Sequence, residues 1–127
     1  AWAAASPAPA KAENLKIKYL GTAGFILSDA NRTLVLDPFI SRPSLWQTFT
    51  QPLSSDPALV KHYIPEADEV LIGHAHYDHI LDAAEVCKQT GARLIGSQAS
   101  VMYGCSAGLP EQQMQVTKGS PDLRGKE

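Results

Sequence analysis

Lysines and arginines never gather into a run anywhere in this sequence of 127 residues. Eleven of them stand against 13 Asp and Glu, for a formal net charge of −2. There is therefore no basic stripe to follow a phosphate backbone, and nucleic acid is not an expected partner. Long apolar runs are missing as well, and none approaches the ~20 residues that cross a bilayer. Cysteine is scarce: Cys87 and Cys105 lack the close spacing of a redox or metal pair. Two buried free thiols are the expected reading; a disulfide between them stays open, and neither reading fixes a compartment. Internal repeats are absent. What remains is 44% apolar and 19% charged, enough for one domain with a core and unlike a disordered chain.

The first stretch, residues 1–14, is Ala- and Pro-rich and begins without Met. It reads as a flexible segment outside the fold. Such a start suits a mature exported protein, which leans toward the periplasm or exterior of a bacterium, and suits an artificial linker equally. The folded unit is expected over residues 15–127. Leu15, Ile17 and Tyr19 alternate with Lys16 and Lys18, the period of a strand with one wet face. Gly21 to Gly24 turns the chain as a hairpin. Phe25 to Leu27 and Thr33 to Leu36 complete a meander. Asp37-Pro38 ends it, because proline removes a ladder donor.

From Phe39 to Ser55 the sequence predicts a long loop carrying Trp46 and Phe49, candidates for the wall of a substrate pocket with apolar parts. Asp56 caps a short helix that opens on Pro57 and runs to about Tyr63. His62 reads as an ordinary residue of its surface. Val70 to Ile72 is the apolar run of a strand buried on both faces. A helix of about ten residues, capped by Asp82, stops at Gly91. A strand over Arg93 to Ile95, a helix over Gln98 to Cys105 and a last strand over Met114 to Val116 follow. A meander followed by strand–helix–strand–helix predicts an α+β chain, a mixed sheet with helices on one face.

Directly after the buried strand stands Gly73-His74-Ala75-His76-Tyr77-Asp78-His79. In extended chain, side chains two apart point the same way, so His74 and His76 can clamp one cation. Asp78 and His79 arrive as the chain turns toward the helix and can face a second. Imidazole and carboxylate suit zinc, iron or manganese without choosing among them. Two such ions ~3.5–4 Å apart activate water and stabilise charge on a leaving oxygen. Asp78 is the candidate catalytic residue, as metal ligand and as the group that orients the water. Asp37 and Asp82 are candidates to accept the remaining imidazole N–H groups.

The run His74-Ala-His76-Tyr-Asp78-His79 resembles the H-x-H-x-D-H signature of the metallo-β-lactamase superfamily. The Gly-Thr-Ala-Gly-Phe turn, the Leu34-Val-Leu-Asp37-Pro strand end and Ala67-Asp-Glu-Val-Leu-Ile stand in matching order around it. The resemblance covers roughly Leu15 to Val116. It implies half of an αβ/βα sandwich and a hydrolase acting on an ester, amide, lactone or phosphodiester of a small molecule. By the same resemblance His74 and His76 belong to one zinc, Asp78 and His79 to the other, and a second half supplies further ligands. No histidine follows His79, and the later acids Asp82, Glu85, Glu111, Asp122 and Glu127 form no second motif. The expectation is an incomplete site, finished by a C-terminal half or by another chain. A non-catalytic half-domain that completes its site by homodimerisation is the competing reading.

Overall fold

Alternation of apolar and polar residues builds one six-stranded sheet in the computed structural model, which describes residues 14–117. Residues 1–13 of the expected flexible segment, and 118–127, lie outside the described residues. The strands are β1 (Lys16–Gly21), β2 (Gly24–Ser28), β3 (Thr33–Leu36), β4 (Glu69–Leu71), β5 (Arg93–Gly96) and β6 (Met114–Val116), and they lie in that order across the sheet. β1, β2 and β3 pair antiparallel, and β3 to β6 pair parallel, so the sheet is mixed. Each tight turn of the meander has a local cause. Gly21 takes φ +94° and Thr22 φ +55° at the first. At the second, the Asp29 carboxylate accepts the N–H groups of Asn31 and Arg32, which lowers its pKa.

Parallel pairing requires crossovers, and helices supply them. α2 (Pro57–Tyr63) starts where Asp56 accepts from the N–H groups of Ala58 and Leu59. α4 (Ala83–Thr90) ends at Gly91 in the left-handed region, φ +75°. α5 (Gln98–Ser106) is capped by Ser97. Inward residues of the strands, Ile26, Val35, Val70 and Leu94, meet Val60 and Ile64 after β3, and Ala83, Val86 and Cys87 of α4. Burial in this layer pushes the Cys87 thiol up to about 12. The expected mixed sheet with helices on one face is what forms.

Several local expectations change. The stretch from Phe39 to Ser55 is not all loop. It contains α1 (Leu45–Thr50), opened by a capping box in which Ser44 and Gln47 satisfy each other's backbone N–H. Helix α3 (Tyr77–Ile80) adds one turn inside the histidine motif. Asp82 stands at the N-cap of α4, but its side chain does not cap. Val70 is fully buried while Leu71 is only half-buried, so β4 is covered on one face rather than two. Cys105 is exposed; both cysteines are free. In β1 the apolar side is the uncovered one, with Ile17 64% and Tyr19 61% exposed.

Candidate metal centre

Every residue of the motif gets its position from where β4 stops. Ile72 still donates its N–H to Ile95 O, after which the chain leaves the sheet at Gly73. His76 is extended (φ −87°, ψ 157°) and is the N-cap of α3. Rings two residues apart fall on one side. His74 Nε2 and His76 Nδ1 are 2.6 Å apart, and the ring centroids are 3.9 Å apart. The turn of α3 swings His79 back toward them, with its centroid 5.4 Å from that of His74. Its Nε2 lies 3.6 Å from Asp78 Oδ2.

Asp37 holds the other side of His79. It follows β3 in the left-handed region, φ +41°, with its N–H donated to Leu71 O at 3.0 Å. One carboxylate oxygen accepts from Gly73 N–H at 2.7 Å, and the other lies 3.1 Å from His79 Nδ1. Asp37 thus ties the end of β3 to the first residue of the motif and directs Nε2 of His79 toward Asp78. A side chain at position 73 would crowd this carboxylate, since a Cβ would stand 3.1 Å from Asp37 Oδ2.

The expected acceptor role divides between the two carboxylates. Asp37 meets an imidazole. Asp82, fully buried, accepts instead from Ile40 N–H, from Ser41 N–H at 2.7 Å and from the Ser55 hydroxyl. Ser41 Oγ in turn accepts from Asp56 N–H. Asp82 therefore clasps both ends of the segment that carries α1. Its charge, after burial, also raises the pKa of Tyr103, whose hydroxyl donates to Leu81 O at 2.9 Å. Trp46 and Phe49 project from α1 with 75% and 84% of their surface exposed. His62 lies on the exposed surface of α2, its ring edge-on to Tyr63.

The donor chemistry fits divalent cations, in pairs. Around a tetrahedral ion the nitrogens of His74 and His76 would stand about 3.3 Å apart, less than 1 Å wider than they are. His79 Nε2 and Asp78 Oδ2 already have nearly that spacing. Among the described residues no three His, Cys, Asp or Glu side chains gather on one point. Each pair is thus short of the three protein ligands that a catalytic zinc usually has.

Residues 32–123 match the family described as the Beta-lactamase superfamily domain. The chain is 32% identical over 99 residues to a UPF0173 metal-dependent hydrolase of Pyrobaculum islandicum, covering 78% of this chain and 40% of that protein. With the corresponding protein of Methanopyrus kandleri it shares 30% over 113 residues, 89% of this chain and 44% of the relative. Among solved structures it resembles Igni18, a metallo hydrolase from the hyperthermophilic archaeon Ignicoccus hospitalis. There the TM-score is 0.57 at 27% identity, covering 82% of this chain and 40% of the other. The chain spans between 30% and 44% of the length of the relatives it matches.

Proposed function

The chain belongs to the metallo-β-lactamase superfamily, and from that premise we propose that it forms part of a metal-dependent hydrolase site. His74 and His76 hold one cation in this reading, and Asp78 and His79 hold a second. Zinc is the first candidate, with iron and manganese compatible with the same donors. The observation that carries the reading is the pairwise meeting of His74 Nε2 with His76 Nδ1, and of His79 Nε2 with Asp78 Oδ2, at the end of one strand.

When bound, a divalent cation supplies acidified water, with a pKa near 7, and compensates charge developing on the reacting oxygen. The protein's own contribution is orientation. Asp37 accepts the Nδ1 proton of His79, which fixes the tautomer whose Nε2 is a donor to metal. Gly73 N–H holds the Asp37 carboxylate in turn. Asp78 turns Oδ2 toward His79, and with a cation bound the Asp78 carboxylate would orient the attacking water. The substrate bond is an ester, amide, lactone or phosphodiester, and the exposed Trp46 and Phe49 suit a small molecule with apolar parts.

The test is turnover of p-nitrophenyl acetate and bis(p-nitrophenyl) phosphate by zinc-loaded protein. Hydrolysis of at least one, removed by chelator and reduced to the buffer background in His76→Ala, supports the reading. Hydrolysis indifferent to both treatments counts against it.

A second reading concerns how the site is completed, and the bare face of the sheet favours it. Tyr19, Phe25, Leu36, Leu71 and Ile95 form one cross-strand row on the side away from the helices, beside Ile17, Leu27 and Leu34 in the next. None of them is fully buried. An apolar face of this extent invites a covering layer. In this reading a second chain or a C-terminal half covers it and brings the additional ligands. Molar mass in solution separates the cases: a dimer supports completion by a second copy, and a monomer at all concentrations excludes it.

A further inference from the structure

On the helix side of the sheet, a cavity of about 360 Å³ shares no residue with the histidine cluster. Its volume lies within the ~300–1,000 Å³ of small-molecule sites. Leu20, Ile40 and Leu59 give it an apolar floor, Tyr63 a wall, and Lys18 and Arg42 two positive charges. No carboxylate lines it, in a chain whose net charge is −2.

Both cations are available to a ligand. Lys18 Nζ lies 5.6 Å from the centroid of the Tyr63 ring, and among the described residues it has no carboxylate partner. Arg42 likewise has none. Among the described residues one of its N–H donors is committed, from Nη2 to Leu20 O at 3.1 Å. The guanidinium is seated by the absence of a side chain on Gly21, where a Cβ would fall 1.6 Å from Nη2. The β1–β2 turn is thereby shaped to hold an arginine against an apolar cavity. A guanidinium with four donors unspent is suited to a planar two-oxygen anion.

We propose that this cavity binds an amphiphilic carboxylate, with the carboxylate engaged by Lys18 and Arg42 and an alkyl chain lying along Leu20, Ile40 and Leu59. Charge complementarity selects the anion, and the apolar floor selects the chain. Burial of each further methylene strengthens binding roughly fourfold until the floor is filled. The site stands independently of metal binding and of hydrolysis.

Octanoate is the probe, titrated into isotopically labelled metal-free protein and followed by backbone amide shifts. The expected shifts fall on residues 18–20, 40–42 and 59–63. Octanoate should bind more tightly than butyrate or octylamine, and Lys18→Ala, on an exposed strand position, should weaken it about tenfold. Arg42→Ala should do the same, and the unchanged spectrum of the remaining amides reports that each variant is folded. The proposal is overturned if octylamine binds as well as octanoate, or if folded Lys18→Ala binds octanoate as the parent does. Shifts confined to the bare face around Phe25, Leu36 and Leu71 would overturn it too.

Discussion

Asp37 occupies the left-handed region, which asparagine and aspartate tolerate better than most residues other than glycine, and it does so one residue before a proline. The reward is a carboxylate aimed at two groups 36 and 42 positions ahead, Gly73 N–H and His79 Nδ1. Asp37→Asn keeps the shape but loses the charge behind His79. It is expected to weaken zinc affinity by ~10–100-fold, read by competition with a chromogenic chelator. The meeting of the His74 and His76 rings is legible in the sequence, because side chains two apart in an extended segment point the same way. The Asp37–His79 pair is legible only as a candidate, since no local rule says which distant acid reaches which ring. Cys87 offers a second prediction at this scale. Its folded thiol holds its proton well above the ordinary 9.0, up to about 12. The unfolded chain therefore releases that proton first, so the stability contribution is complete below about pH 9 and is lost as pH rises toward 12. Urea midpoints should fall over that window, and less steeply in Cys87→Ala. In native protein a thiol reagent should modify the exposed Cys105 and spare Cys87.

Between β3 and β4 the chain makes a long excursion, and a single buried carboxylate closes it. Asp82 accepts from Ile40 and Ser41 at one end and from Ser55 at the other, so the segment bearing α1 leaves and returns at one point. Removing that carboxylate strands two backbone N–H groups. Asp82→Ala is expected to destabilise the fold by about 2–4 kcal/mol, measured by urea denaturation, with a smaller loss for Asp82→Asn. The sequence predicts Asp82 at the head of α4, where it stands, but as a cap, which its side chain does not make. Its partners lie 27 to 42 residues upstream, which helix-capping rules do not see. The same limit applies to α1, six residues whose only local signal is the Ser44–Gln47 capping box in a proline-flanked stretch. Longer elements, α2 with its Asp56-Pro57 start and α4 with its Gly91 stop, carry their punctuation in the sequence and were legible to within a residue or two.

Taken whole, the molecule has one finished face and one bare one. The inner residues of β2 to β5 are sealed by α2, α4 and α5, whereas Ile17 and Tyr19 remain more than 60% exposed on the other side. Alternation in β1 announces that one side is apolar, but not whether anything covers it; coverage belongs to the assembly and not to the strand. A hydrophobic dye should therefore bind the isolated chain, and Leu36→Lys, placed in the middle of the bare row, should reduce that binding with little cost to stability. Four side chains of one short motif are proposed to hold divalent cations. The most direct test is a zinc titration of the whole chain followed through its imidazole resonances, because His62 on the surface of α2 provides an internal control. His74, His76 and His79 are expected to shift together while His62 stays still. Equal response of all four histidines, or of none, would contradict it.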